Sequence, residues 1–519
     1  MSGIVLSASV RQNLLSLQST ADLLATTQNR LATGKKVNTA LDNPTNFFTA
    51  QGLDNRASDI SNLLDGISNG IQVLQAANTG ITSLQGLVAS AKSIASQVLQ
   101  SPTGYSTKST VTSAVIPGAT ANNLLGTSIN NSVTGTAVNN NLTAAATITA
   151  ATTLSGAANT DSLSSAISTG DTLTVNGVTF SFVTGSVSAG TNIGIGDTVG
   201  HLLAAIDQVT GSATASSVSG GKVTLNTGTT SNLTIGGSAL AKLGLTAGTT
   251  NLGPPQLAGE TLTIASTGGG TPTAITFGTG PGQISTLNGL NAALAANNLQ
   301  ATITTTGVLN IVTSNDAASS TIGTIGGSAT LASQAFNAAV GSAPVADPNS
   351  QATRASLVAQ YNNVLAQINT TAQDSSFNGI NLLNGDTLKL VFNETGRSTL
   401  NIQGVTFNDA GLGLANLTAG TDFLDSSSAN KVLTSLDAAS TTLRAEASTL
   451  GSNLSIVQIR QDFNKNLINV LQTGSSNLTL ADTNEEAANS QALSTRQSIA
   501  VSALALANQS QASVLQLLR

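Results

Sequence analysis

The chain of 519 residues contains no cysteine and no tryptophan, and it has a single histidine, His201. Without cysteine there is no disulfide framework, no thiolate metal site and no thiol nucleophile. His201, in the short helical stretch GHLLAAI, has no second His or Cys with which to complete a metal or acid–base site, and its isolation excludes a His-Glu-x-x-His zinc protease. Charge is also scarce. Only 8% of residues are charged and 3% aromatic, and no arginine lies between Arg56 and Arg354. A formal charge of −6 without basic clusters argues against nucleic acid or an anionic membrane as partner, since both demand clustered Lys and Arg. No run reaches the roughly 18 apolar residues of a membrane span, so no membrane insertion is expected. The start, MSGIVLSASVRQ, lacks a basic leader and an apolar core, so no cleaved secretory signal is expected either. The glycine-rich runs TGGGT (267 to 271) and GTGPG (278 to 282) lack the Lys-Ser/Thr of a phosphate loop and read as turns. No cofactor, metal or catalytic constellation is expected, and the chain reads as a non-enzyme.

What is present is helical periodicity at both ends. Val10, Leu14, Leu17, Ala21, Leu24 and Leu31 fall at alternating steps of three and four, with Gln28 the polar member. The same steps join Leu493, Ala500, Leu504, Ala507, Val514 and Leu518, interrupted by Gln497 and Gln511. Stripes of this kind need a partner helix, either the other terminus or another copy of the chain. A second N-terminal stripe, Ile60, Leu64, Ile67, Ile71, Leu74 and Ile81, predicts helix to about Gln100, stopped by Ser101 and Pro102. Gly34, Asp42, Asn43 and Pro44 mark the turn between the two arms.

On the return path Leu357, Tyr361, Val364 and Ile368 begin a helix. LKLVFN and TLNIQGVTF then read as strands, punctuated by Asn378-Gly379 and Asn384-Gly385. In the next helix Leu436, Leu443, Leu450, Val457 and Leu471 recur in one heptad column with Asn464, and Leu433, Ala447, Leu454 and Ile468 form a second. Gly474, Ser475 and Ser476 are expected to separate it from the last arm. Asp482 or Thr483 caps that arm, whose first turn carries Glu485 and Glu486.

The middle, 102 to 350, is rich in Thr, Gly, Ser and Asn and contains a repeat. DTLTVNGVTFSF at 171 is echoed by ETLTIASTGGGTPTAITF at 260, LLAAI at 202 by LNAAL at 290, and IGGSAL at 235 by IGGSAT at 325. Each copy reads strand, strand, short helix, strand, strand, which predicts two small α+β domains in tandem at about 168–250 and 258–340. Residues 109 to 160 carry no clear pattern.

LATGKKVNTALDNPTNFFTAQGLDNRASDISN (31 to 62), DSSFNGINLLNG (374 to 385) and the tail from Ala481 resemble bacterial flagellin. The resemblance implies an α core with α+β insertions: a long antiparallel helical coiled-coil core from both termini, a β-hairpin in the outer core and a projecting β-rich middle. It implies inner-core helices at 1–45 and 475–519, with filament-core packing by Val10, Leu14, Leu17, Leu24, Leu31, Leu493, Leu504, Val514 and Leu518. It implies outer-core elements at 46–101 and 351–474, packed through Ile60, Leu64, Ile67, Ile71, Leu74, Leu436, Leu443, Leu450, Leu454 and Val457. It further implies a secreted subunit of the extracellular flagellum that self-assembles into a helical filament for swimming motility. Its partners would be other copies of itself, flagellar cap and hook-associated proteins, an export chaperone and the flagellar type III export apparatus. A hook-filament junction protein and a flagellar-exported adhesin are the alternatives. In flagellins recognised by the Toll-like receptor of animal hosts the outer-core helix carries a Gln-Arg pair, but Ala89 and Ser90 stand at those positions here, leaving Lys92 as the one nearby charge.

Overall fold

The computed structural model describes residues 8–517, with side chains to residue 513, so Leu518 and the side chain of Val514 lie outside the described residues. The described helices are α1 (Ala8–Thr33), α2 (Pro44–Gln100), α3 (Val199–Thr210), α4 (Leu287–Ala295), α5 (Pro348–Asp374), α6 (Ser426–Thr479) and α7 (Thr483–Leu517). Their starts follow local chemistry. Asn43 Oδ1 accepts the Asn46 N–H at 3.0 Å, and Pro44 takes the first helical position, where a missing N–H costs nothing. Asp347 and Pro348 repeat this arrangement at α5, the carboxylate accepting the Ser350 N–H at 3.3 Å. At α7 the cap is Asp482, whose Oδ1 accepts from the N–H groups of Asn484 and Glu485 at 2.9 and 3.3 Å.

One expected boundary moves. Helix α6 runs through Gly474-Ser475-Ser476 and ends at Thr479. Gly474 sits beside Leu53 of α2, with room for a Cβ at ordinary contact distance, 3.4 Å from Leu53 Cδ1. The nearby hydroxyl of Thr479 is satisfied inside the helix, donating to Ser475 O at 3.0 Å. The stop falls instead at the non-helical residues between Thr479 and Thr483.

The chain forms two compact units. The first comprises the chain up to Ser93, Tyr361–Asn416, and the chain from Leu433 onward. Its centre is the heptad column of α6: Leu436, Leu443, Leu450, Val457, Asn464 and Leu471 are all buried, and Leu454 beside them is half-buried. From α2, Ile60, Ile67, Ile71 and Leu74 are buried and Leu64 half-buried. Ala57 and Ile60 meet Leu471, with Leu53, Leu467 and Ile468 packed around them. The strands Thr387–Val391 and Thr399–Gln403 pair as an antiparallel hairpin. A Cβ on Gly70 would press on the side chain of Leu390 of that hairpin, which would have to shift to admit it. The Asn378-Gly379 turn has both φ angles positive, 50° and 80°, the conformation that favours this dipeptide.

The second unit, Ile94–Gln360 with Leu417–Val432, holds two hydrophobic clusters. In one, strand Thr172–Val175 lies between Val178–Val183 and Leu233–Gly236, and α3 packs nearby through Leu202 and Ile206. In the other, Thr261–Ile264 lies between Thr273–Thr276 and Ile325–Gly326, with Leu290 and Leu294 of α4. The repeated IGGSA segment does the same work twice. Gly237 and Gly327 take φ of 107° and 101°, and a Cβ on either would strike the carbonyl of Thr172 or Thr261. Ser238 Oγ then accepts the Thr172 N–H at 3.1 Å, and Ser328 Oγ the Thr261 N–H at 2.9 Å.

The arrangement is nested rather than purely serial. Each copy takes a third strand from the segment that carried no pattern: Ser132–Thr134 joins Lys222–Asn226, and Thr110–Val115 joins Val308–Thr313. The chain therefore begins the second copy, builds the first, and returns to finish the second. Reciprocal hydrogen bonds between Ile129 and Gly253, at 3.1 and 3.0 Å, close the neck where it leaves and re-enters. Elsewhere in this unit the buried guanidinium of Arg354 reaches Val98 O at 3.1 Å, Ser101 O at 3.0 Å and Pro102 O at 2.7 Å, and also donates to Phe423 O. A cation satisfies the carbonyls at the end of α2, where the helix dipole is negative.

Candidate assembly interface

Helices α1 and α7 pack antiparallel. Lys36 N–H donates to Thr479 O at 2.7 Å and Ala481 N–H to Gly34 O at 3.0 Å, so the backbones of the two inter-helix turns are stitched together. Arg30 Nη1 meets Glu486 Oε1 at 3.3 Å just beyond this stitch. Gly34, at φ 66°, ends α1 in the left-handed conformation. Asp42 tightens the turn by accepting the N–H groups of Thr39 and Asn38, at 2.8 and 2.9 Å, and these bonds hold its carboxyl below the ordinary range.

On α7 the covered positions are Glu486, Ser490, Leu493, Gln497, Ala500, Leu504, Ala507 and Gln511, which is the predicted column with its two glutamines. On α1 the covered positions are Val10, Asn13, Leu17, Thr20, Ala21, Leu24, Thr27 and Arg30, most of them again at steps of three and four. This seam differs in part from the one read in the sequence. Val10, Leu17, Ala21 and Leu24 belong to both, whereas Leu14 and Leu31 are exposed, and Asn13, Thr20 and Thr27 take the intervening places. A seam threonine is tolerated because its hydroxyl is internally satisfied: Thr20 Oγ1 donates to Ser16 O at 2.7 Å. Small side chains at the intervening places let the two helices approach, and Leu14 and Leu31 are left outside the seam.

Leu15 and Leu23 share a second surface of α1, and Leu14 and Leu31 are exposed beside the seam. Leu15 is 67% exposed. Across the pair, Ile499, Val501 and Leu506 of α7 are exposed, Leu506 at 70%. Helix α6 shows a third row, Ile456, Ile459, Phe463 and Val470, on residues outside its buried column. Covering one such leucine or isoleucine fully contributes on the order of 1.5–3 kcal/mol. A soluble protein scatters exposed apolar residues singly, and helical rows of them mark contact surfaces.

His201 sits in the first turn of α3. Its Nδ1 lies 2.7 Å from Oδ1 of buried Asp197, and its N–H is received by the α3 cap Thr198 at 3.3 Å. Among the described residues no group of three or more His, Cys, Asp or Glu side chains could hold a metal ion, and no helix is long and apolar enough to cross a membrane.

Residues 5–117 match the bacterial flagellin N-terminal helical region, and residues 433–518 match the bacterial flagellin C-terminal helical region. The chain resembles bacterial flagellin at both ends. These flagellin-like regions hold α1, α2, most of α6 and α7, the elements that carry the paired and unpaired faces. Similar proteins include Flagellin FljM of Caulobacter vibrioides, 33% identical over 165 residues, which are 31% of this chain and 59% of that protein. Flagellin FljK of the same organism is 32% identical over the same extent. Flagellin A of Rhizobium meliloti is 33% identical over 124 residues, 24% of this chain and 27% of that protein. The similarity thus spans 59% of the Caulobacter flagellins' length.

Proposed function

We propose that this chain is the structural subunit of a bacterial flagellar filament, secreted and self-assembling outside the cell, and not an enzyme. The observation that carries this reading is the double-faced helix pair: α1 and α7 cover each other on one seam and leave Leu14, Leu15, Leu23, Ile499 and Leu506 uncovered. A helix pair with one face satisfied and another apolar can take up neighbours head to tail, and such heterologous contacts generate open helical polymers. The flagellin-like ends, which contain both helices, support the same conclusion. Swimming motility follows from the filament, and export through the flagellar apparatus and capping at the tip are the partners this reading requires.

Electron microscopy of material sheared from cells tests it, comparing the full chain with one ending at Leu480, which lacks α7. Filaments from the full chain and none from the shortened one are expected. Normal filaments from the shortened chain would overturn the proposal.

A further inference from the structure

The duplicated modules share one acidic position, Asp171 and Glu260, but only the first pairs it with a lysine, and the carboxylate of the second lines a cavity. In the first copy Asp171 is neutralised from within: Lys242 Nζ lies 2.5 Å from Asp171 Oδ2 and donates to Ala166 O at 2.8 Å. The lysine hydrogen bond, followed by the Ser168 N–H, holds the Asp171 carboxyl below its ordinary range.

The step from Asp171 to Glu260, fixed by the matching DTLTV and ETLTI strands, also carries Ala166 onto Pro255. In the IGGSA alignment Lys242 falls on Ala332, and no Lys or Arg occurs anywhere between Lys242 and Arg354. The second copy therefore keeps the acid and loses the base. Beside the acid there is a cavity of about 370 Å³ lined by Glu260, Pro254, Pro255, Gln256 and Gln334, among others, with Ser333, the neighbour of Ala332, also in its wall. Gln334 Nε2 reaches Glu260 Oε1 at 3.3 Å, a neutral hydrogen bond that leaves the charge uncompensated, and Oε2 accepts no hydrogen bond from the described residues. The prolines and Ile129 supply an apolar wall beside the acid.

We propose that this cavity is a recognition site for a primary alkylammonium group, carried either by a free amine or by a lysine side chain. The first copy demonstrates the chemistry in covalent form: an aliphatic stem ending in an ammonium that meets one carboxylate and one backbone carbonyl. An incoming alkylammonium would place its charge on Glu260, its remaining N–H donors on the amide oxygens of Gln256 and Gln334, and its stem along Pro254 and Pro255. Charge-assisted bonds in a partly desolvated cleft favour such a ligand over a neutral one.

Calorimetric titration of the full-length protein with cadaverine and with Nα-acetyl-lysine methylamide tests the site and separates the two sources. Saturable one-to-one binding is expected for at least one of them; cadaverine alone would assign a free amine, and the lysine derivative a protein side chain. Tetramethylammonium, which has the charge but no N–H, is expected to bind at least tenfold more weakly. Glu260→Gln is expected to reduce binding at least tenfold, and Asp171→Asn to leave it unchanged. Ala332→Lys, which restores the first copy's cation, is expected to block the site and serves as the test should Glu260→Gln fail to fold. Absence of saturable binding by both amines, or binding indifferent to Glu260→Gln and Ala332→Lys, would overturn the proposal. Neither result bears on filament formation, which rests on the terminal helices.

Discussion

The side-chain amide of Asn464 donates to the backbone carbonyl of Phe392 across 3.0 Å, within an otherwise apolar heptad column of α6. Arg460, one turn earlier, lies with its guanidinium 5.7 Å from the centre of the Phe392 ring. The polar interruption of the column thus docks the end of the β-hairpin onto the long helix. Asn464→Ala leaves that buried carbonyl without its donor and is expected to lower stability by about 1–3 kcal/mol. Denaturant unfolding of the monomer, with an unchanged m-value, would measure it.

Arg354 is among the largest fully buried side chains of the described residues, and it donates to four backbone carbonyls. Burial lowers its pKa, and the field of Asp425 opposes that shift. Arg354→Met removes the guanidinium donor from all four carbonyls, of which Val98 O keeps the Ser101 N–H at 3.3 Å, and at about 1–3 kcal/mol for each buried acceptor left unsatisfied it is expected to be strongly destabilising. Lysine, a point charge without the planar fork, is expected to recover only part of this. Thermal unfolding followed by circular dichroism would rank the three proteins.

The two faces of α1 make separable predictions. Leu15→Glu alters the uncovered face, so the monomer is expected to melt as the parent does while polymerisation is lost. Leu17→Glu puts a charge in the seam with α7, and both monomer helicity and assembly are expected to fall. Sedimentation of seeded polymer together with monomer melting curves distinguishes them.

Acid is expected to loosen the first repeat. The Asp171 carboxyl has a folded pKa below its unfolded value, chiefly through Lys242, so its stabilisation is present above the ordinary carboxylate range. It is lost as the pH falls from about 4 through the depressed value. Asp171→Asn should therefore show a flatter loss of stability below pH 4 than the parent, as read from melting temperatures across a pH series.

Receptor signalling is expected to be weak. Ala89 and Ser90 are exposed where the recognised flagellins carry Gln and Arg, and the neighbouring cation Lys92 is engaged by Asp437. A reporter-cell assay with purified monomer would check this, and a strong response would contradict it.

Helical ends, the heptad column of α6 and the repeat were legible in the sequence because each is periodic. A residue every seventh position states its own face, and Leu436 through Leu471 with Asn464 are buried together. Which face of α1 meets α7 was legible only in part. Leu14 and Leu31 fit the hydrophobic period as well as Leu17 does, and only the partner's position decides that Thr20 and Thr27 are covered instead. The same holds for Gly474, read as a break although α6 continues through it to Thr479. Strand donation by Thr110–Val115 leaves no local mark either, because a single strand pairs with residues some two hundred positions away. Sequence alone determined the elements and their apolar stripes, since these follow from nearest-neighbour spacing along the backbone. Tertiary structure decided which stripe is spent inside the subunit, which remains for contact with others, and which carboxylate of the duplicated pair keeps a cation, since those depend on residues that meet only through folding.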